Sequence, residues 1–159
     1  MIKPMLAQKV NTKPIDWTKK VFVQPKLDGV RCIFTKDGAY SRNHKQFKNV
    51  DHLQDDLQDF FKKFPDVVLD GELYNHDLKH DFEKIISLVR KQKTTEQDRS
   101  EASDLVQFHV YDVIAEPNFT YEFRYNMLRL QLPIVTSMTL VKNTLVESYD
   151  EAEMLHKVH

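Results

Sequence analysis

The sequence predicts an α+β domain, with helices placed between the strands of a mostly antiparallel sheet. Short apolar runs bounded by turn residues indicate strands, and Asp37-Gly38 between two of these runs is a typical hairpin turn. Apolar residues at helical spacing between Val50 and Phe64 indicate an amphipathic helix that packs on a core. The chain shows no internal repeat and no low-complexity tract.

The predicted elements follow an irregular N-terminal arm at residues 1–20. We expect strands at about 20–25, 30–35, 39–41, 67–69, 105–114, 138–141 and 145–147. We expect helices at about 50–64, 80–91, 120–132 and 149–156, the first capped by Asp51 and ended by Pro65. Residues 91–104 are almost wholly polar and predict an exposed, mobile loop.

Composition limits the class of protein. The chain has 159 residues, 41% of them hydrophobic, which suffices for one domain with its own core. Its 23 basic and 24 acidic side chains argue against a free-standing, non-specific nucleic-acid binder, although not against a local basic groove. The single cysteine fits a reducing compartment. No apolar run is long enough for a membrane span and no signal peptide begins the chain, so we expect a cytoplasmic protein without a membrane partner.

The most informative stretch is QPKLDGVR at residues 24–31, which lies between two apolar runs. Burial of Lys26 between such neighbours would lower its pKa, and a lysine with a lowered pKa is a nucleophile near neutral pH. Gly29 lets the backbone turn or approach a ligand closely. A strand–turn–strand with a surface pair of Lys26 and Asp28 is the alternative, and it is the better interpretation of this spacing taken alone.

Two further polar groups follow predicted strands, and two weaker candidates lie within a predicted strand and a predicted helix. Asp70-Gly71-Glu72 follows a buried strand and suits either a ribose hydroxyl or a divalent cation, or else is a solvated turn. Arg42, after Ser41, could contact a phosphate group through its guanidinium, and the alternative is an ordinary surface arginine. Tyr111 in Tyr111-Asp112 either packs in the core or stacks on a nucleobase, and Arg124 on the third helix is a weaker candidate that braces the domain. The histidines show no metal-ligand spacing.

Taken together and in order, these groups resemble the motifs of the nucleotidyltransferase domain of ATP-dependent DNA ligases, especially the small phage and viral kind. The matching segments are the opening KPMLA at 3–7, KLDGVR at 26–31, Ser41-Arg42, LDGE at 69–72 and Val110-Tyr111-Asp112. The resemblance spans nearly the whole chain, and it implies an ATP-grasp-like adenylation domain that acts in DNA replication, repair and recombination. It also implies an intracellular enzyme, one that a phage could encode for use in its bacterial host.

The resemblance implies a role for each matching residue. Lys26 corresponds to the nucleophile that attacks the α-phosphate of ATP and forms a lysyl-AMP, and Asp28 acts in the later catalytic steps on nicked duplex DNA. The nucleotide-binding set comprises Gln24, Lys26, Arg31, Arg42, Glu72 and Tyr111, with Glu72 on the ribose and Tyr111 on the adenine. Mg²⁺ is the implied metal, with Glu72 as its candidate ligand.

The resemblance is incomplete at the C-terminal side. The family has a further E-G motif, a K-x-K pair and an oligonucleotide-binding-fold domain, and we find none of them in the 159 residues. We therefore expect residues 1–159 to be a partial adenylation domain. Two alternatives stay open: an RNA ligase or an mRNA-capping guanylyltransferase, and a non-catalytic fragment that binds nucleotide or DNA.

Overall fold

The structure is a computed structural model that describes residues 3–115 and 119–158, with side chains described as far as Leu155. The first two residues of the predicted N-terminal arm lie outside the described residues. The strands are β1 Val21–Val23, β2 Val30–Thr35, β3 Gly38–Tyr40, β4 Val68–Tyr74, β5 Gln107–Ile114, β6 Met138–Leu140 and β7 Thr144–Val146. The helices are α1 Asp51–Asp56, α2 Gln58–Lys63, α3 Phe82–Val89, α4 Glu96–Leu105, α5 Tyr121–Gln131 and α6 Tyr149–Val158, with a 3₁₀ turn at His76–Leu78.

The chain divides into two compact units. The first consists of Met1–Pro4 and Leu27–Leu140, and the second of Met5–Lys26 and Val141–His159. In the second unit β1 pairs with β7 in antiparallel fashion, with Phe22 opposite Leu145, and α6 follows β7. No helix in the described part of either unit is long and apolar enough to cross a bilayer.

The first unit contains a five-stranded sheet with the order β3-β2-β4-β5-β6. Pairing is antiparallel across β3, β2, β4 and β5, and parallel only between β5 and β6. The predicted α+β class with a mostly antiparallel sheet is therefore confirmed. The hairpin of β2 and β3 turns at Lys36-Asp37, where the sequence predicted a turn.

The helices of the first unit cover one face of this sheet. Strand residues at alternate positions, such as Phe34, Leu69 and Phe108, are fully buried on that face, with the Phe34 and Phe108 ring centroids 5.2 Å apart. The helices supply the rest of the core through Leu53, Leu57, Phe60, Phe61, Ile85, Leu88, Val89, Ala102 and Leu128. Burial of one large apolar side chain stabilises the folded state by about 1.5–3 kcal/mol, so this layer is the main source of stability. The opposite face of the sheet carries the polar residues.

Three predictions about the helices are wrong. The expected single helix at 50–64 is two helices that break at Leu57, and Asp51 is the first helical residue, since the cap position belongs to Val50 without a side-chain hydrogen bond. The expected loop at 91–104 contains α4. Thr95 and Asp98 form a capping box at its start, which satisfies backbone N–H groups that would otherwise lack partners. Ala102 then anchors the helix in the core.

Candidate functional site

Four of the predicted site positions converge on the polar face of the sheet. In the β2–β4 register Arg31 lies opposite Glu72, and Ile33 lies opposite Asp70. Directly paired residues point to the same face, and so do residues two apart on one strand. Arg31, Asp70 and Glu72 therefore share the face that the helices leave uncovered, although Asp70 and Glu72 are still only 6% and 7% exposed.

An irregularity in β5 adds Tyr111 to this group. Asp112 pairs with Asp70, while Val110 pairs with Gly71, so Tyr111 is an extra residue with no counterpart on β4. Such a β-bulge reverses the alternation of faces along the strand. Tyr111 and Asp112 consequently both lie on the polar face, while Val110 and Val113 on either side are fully buried in the core.

Glu72 is the centre of the cluster. Its Oε2 accepts a hydrogen bond of 3.0 Å from the backbone N–H of Gly29, and its Oε1 accepts one from the Tyr111 hydroxyl. Burial raises the pKa of Glu72, while the Tyr111 and Gly29 hydrogen bonds and the charge of Arg31 act in the opposite direction. The backbone of Gly29 is so close that a Cβ atom there would lie 2.3 Å from the Leu73 carbonyl oxygen. Only glycine fits this position without movement of β4.

Arg31 is held in a fixed orientation. Its Nε and one terminal nitrogen donate to the two oxygens of Asp70 at 2.8 and 2.7 Å, in the bidentate geometry that arginine and carboxylate favour. The hydrogen bond to Asp70 raises the pKa of Arg31. The guanidinium carbon lies 5.3 Å from the centroid of the Tyr111 ring, which is within cation–π range. Nothing in the sequence singled out this pairing of Arg31 with Asp70.

Asp112 and Arg124 brace the bulge from the side of α5. Arg124 donates to the two carboxylate oxygens of Asp112 at 2.8 and 3.2 Å and to the Phe119 carbonyl at 2.5 Å. The Tyr121 hydroxyl donates to the Tyr111 carbonyl at 3.2 Å. Helix α5 therefore holds the backbone of the bulge in place, which agrees with the bracing role predicted for Arg124.

Two aromatic groups that the sequence did not single out extend the polar face beyond Glu72. His109 pairs with Glu72 across the strands, and its ring packs edge-on against Tyr74 at 5.0 Å between centroids. Burial lowers the pKa of His109 to about 4. Burial, and next the charge of Asp28, raise the pKa of Tyr74. Asp28 is itself exposed and belongs to the first unit.

Arg42 lies in a tight turn after β3. The Ser41 N–H donates to the Lys45 carbonyl at 2.8 Å, and His44 adopts the left-handed conformation with φ of 65°. The Nε of Arg42 is buried and has no hydrogen-bond partner within the described residues. A buried donor of this kind commonly marks the place of a ligand or water. No hydrogen bond or ion pair recorded for the described residues joins Arg42 to the cluster around Glu72.

Lys26 and Gln24 belong to the second unit, at the end of the segment that carries β1. The side chain of Lys26 is exposed, so its apolar neighbours along the chain do not bury it. Its apolar neighbours along the chain lie in β1 and β2, and residues 24–29 between these strands belong to neither.

The structure does not test the metal-binding role predicted for Glu72. Among the described residues, no group of three or more histidine, cysteine, aspartate or glutamate side chains could hold a metal ion. Both oxygens of Glu72 already accept hydrogen bonds, which suits a partner that donates, such as a hydroxyl, better than a cation. The metal role stays a prediction.

Comparisons with known proteins concern the family and the fold of the chain. A family model, the ATP dependent DNA ligase domain, matches residues 4–158. A solved Lig E DNA ligase, from work on DNA binding with a minimal scaffold, gives a TM-score of 0.71 at 22% identity and covers 99% of this chain and 57% of that one. The ATP-dependent DNA ligase from bacteriophage T7, in complex with ATP, gives a TM-score of 0.58 at 18% identity and covers 86% and 52%. No curated protein sequence matches the chain.

At these identities the superpositions show a shared fold, and the chain spans 57% of the length of the Lig E enzyme. The family model, by contrast, covers residues 4–158, which include every motif on which the resemblance rests except Lys3 of the opening KPMLA. The predicted nucleotidyltransferase fold is confirmed. The chain belongs to the ATP dependent DNA ligase domain family.

Proposed function

We propose that this chain carries the nucleotide-binding part of an ATP-dependent DNA ligase that seals nicks in duplex DNA through a covalent lysyl-AMP on Lys26. The observation that carries the proposal is the cluster of Gly29, Arg31, Glu72 and Tyr111, which begins three residues after Lys26 in the chain. We further propose that residues 1–159 form a partial adenylation domain, since they span 57% of the Lig E enzyme. The intracellular setting and the roles in replication, repair and recombination are parts of the same proposal.

The donor and acceptor groups of the cluster suit ATP. Glu72 is a buried carboxylate able to accept from ribose hydroxyls, and Tyr111 offers a ring face for the adenine. Arg31 is pre-oriented by Asp70, which lowers the entropy that a contact with the nucleotide would cost. The unpartnered buried Nε of Arg42 suits a phosphate oxygen. Gln24 completes the proposed set from the segment before Lys26.

The first step forms a bond from the Lys26 amine to the α-phosphorus and breaks the bond from that phosphorus to pyrophosphate, and the amine loses its proton to solvent. Next, an oxygen of the DNA 5′-phosphate attacks the same phosphorus, and Lys26 regains its proton as it leaves. The DNA 3′-hydroxyl then gives up its proton to solvent, forms a bond to the 5′-phosphorus and releases AMP. We assign Asp28, whose side chain is exposed, to these later steps. Such transfers depend on positioning and charge neutralisation, and bound Mg²⁺ would supply positive charge at the phosphates.

The test is an intact-mass spectrum of the chain after incubation with ATP and Mg²⁺. We expect a gain of one adenylyl group, lost in Lys26→Ala and kept in Lys36→Ala, which removes an exposed lysine from the β2–β3 turn. A parallel incubation with GTP should give no gain, whereas labelling by GTP would indicate a capping guanylyltransferase. Absence of any adduct on the wild-type chain would contradict the proposal for this chain and would favour a non-catalytic nucleotide- or DNA-binding fragment.

An active chain should then be offered nicked duplex DNA and nicked duplex RNA of the same sequence. Sealing of the DNA substrate supports the proposed partner. Preferential sealing of RNA would replace it with an RNA ligase. Lys26→Ala is the control for both substrates, because it removes the proposed nucleophile and leaves the residues of the Glu72 cluster unchanged.

A further inference from the structure

We propose that the Tyr111 hydroxyl holds the place of a ribose hydroxyl on Glu72 in the nucleotide-free protein, and that this exchange makes Tyr111 a determinant of sugar specificity. The inference deepens the proposed function and rests on it, because it takes the Glu72 carboxylate as the sugar-binding group. It adds a role for the hydroxyl of Tyr111 that is separate from stacking by its ring.

The geometry of Glu72 is the first step of the argument. One carboxylate oxygen accepts from the Gly29 backbone N–H, which the main chain fixes in place, and the other accepts from the Tyr111 hydroxyl. The residue is only 7% exposed, so a ligand hydroxyl cannot approach the second oxygen from open solvent while Tyr111 covers it. A sugar hydroxyl must therefore replace the tyrosine hydroxyl or fail to reach the carboxylate.

Tyr111 is built so that this replacement is possible. It is the extra residue of the bulge and has no directly paired residue on β4, so rotation of its side chain changes its contacts with Glu72 and Arg31 without displacing a cross-strand partner. The backbone around it stays fixed, because Tyr121 donates to the Tyr111 carbonyl and Arg124 holds Asp112. The side chain of Tyr111 can therefore rotate while the backbone around it stays in place.

The energetic consequence is a sugar-dependent exchange. A buried carboxylate that loses a donor is destabilised unless another donor replaces it. A ribonucleotide supplies a hydroxyl and so balances the loss of the Tyr111 hydrogen bond. A nucleotide that lacks the sugar hydroxyl which would bind Glu72 leaves the hydrogen bond between Tyr111 and Glu72 intact. It therefore gains no binding free energy from that carboxylate oxygen. In the wild type, competition from Tyr111 therefore reduces both the affinity for ATP and the preference for ATP over the deoxynucleotide.

The test is the change Tyr111→Phe, which removes one oxygen atom and keeps the ring. Equilibrium binding of ATP, 2′-deoxy-ATP and 3′-deoxy-ATP is measured in EDTA so that no adenylate forms. We expect affinity for ATP to rise about tenfold, the scale of one hydrogen bond to a charged group. Affinity for the deoxynucleotide whose missing hydroxyl Glu72 would bind should change little. The preference for ATP over that analogue should therefore grow by the same factor.

Tyr125→Phe is the matched control, because Tyr125 is a half-buried tyrosine on α5 outside the Glu72 cluster, and it should leave all three affinities unchanged. Thermal unfolding of both variants checks that each is folded. If Tyr111→Phe weakens all three nucleotides alike, or leaves both preferences unchanged, the exchange does not occur and the hydroxyl only stabilises the site. If the wild type binds none of the nucleotides and forms no adenylate, the proposed function fails together with the exchange.

Discussion

The substitution Gly71→Ala should destabilise the first unit by about 3 kcal/mol, near the upper end of the range for overpacked cores. Gly71 lies at the bulge on the core side of β4, where an added Cβ would lie 2.3 Å from the His109 carbonyl oxygen and 2.7 Å from Cε1 of Phe108. A backbone oxygen in a sheet cannot rotate away, and the Phe108 ring is fully buried. Strands β4 and β5 must therefore separate locally.

The assay is urea unfolding followed by far-UV circular dichroism, because the only tryptophan, Trp17, lies in the second unit. With a slope of about 2 kcal/mol per molar urea for a small protein, a loss of this size lowers the midpoint by about 1.5 M. Thr139→Ala on β6 is the control, since Thr139 is exposed and should shift the midpoint by less than about 0.5 M. A midpoint for Gly71→Ala no lower than that of the control would refute the close approach of the two strands.

Three further predictions concern charged groups. His109, whose pKa burial lowers to about 4, binds fewer protons folded than unfolded between pH 6.5 and 4, so stability falls as the pH drops through that window. His109→Gln should reduce this change of stability with pH, measured by urea unfolding at several pH values. A pKa of His109 near 6.5 in an NMR titration would contradict the prediction. Asp98, whose pKa Lys91 lowers to about 2, contributes stability that is present above pH 4 and lost as the pH falls toward 2, so Asp98→Asn should remove that loss. Arg124→Ala leaves Asp112 without its ion pair and should reduce stability by about 2–3 kcal/mol, with Arg124→Lys intermediate; equal losses in both would contradict a bidentate role.

Much of the sheet could be predicted from local sequence. Strand β2 occupies the residues where it was expected, and β5 begins two residues later than predicted. The prediction for β4 is wrong at its C-terminal end, because the strand was expected to end at Leu69 and continues to Tyr74, so that Asp70 and Glu72 lie within it. Their apolar runs are short and bounded by turn residues, so the period of the pattern is decisive. The family resemblance, and not local sequence pattern, grouped Arg31, Glu72 and Tyr111 into one expected site, and the structure places them on the neighbouring strands β2, β4 and β5.

Helix α4 could not be predicted from apolar spacing. Its residues are almost all polar, and Ala102 is its single side chain in the buried core. The helix depends instead on its capping box and on ion pairs, including Lys91 with Asp98 at 2.7 Å. The Thr95-x-x-Asp98 spacing was the available signal, and it is weaker than a hydrophobic face because the same residues also favour turns.

The exposure of Lys26 shows a different limit of sequence reasoning. Apolar residues on both sides of Lys26 in the chain suggested burial, yet those residues lie in β1 and β2, which belong to separate sheets. Hydrophobic periodicity predicts which side chains are buried only within a regular helix or strand. The segment that carries Lys26 leaves β1 before that residue, so its surroundings depend on contacts that no local pattern encodes.

The extra residue in β5 explains why the Tyr111-Asp112 pair can serve two purposes. In a regular strand adjacent residues face opposite ways, so one of the two side chains would point into the apolar core. The register shift at Asp70 and Gly71 turns both outward, which allows Tyr111 to contact Glu72 while Asp112 pairs with Arg124. One inserted residue thus couples the proposed nucleotide site to α5, and Gly71 lies beside the register shift, where β5 comes too close for a Cβ atom. Sequence patterns do not reveal such an insertion because it exists only in the pairing of two strands.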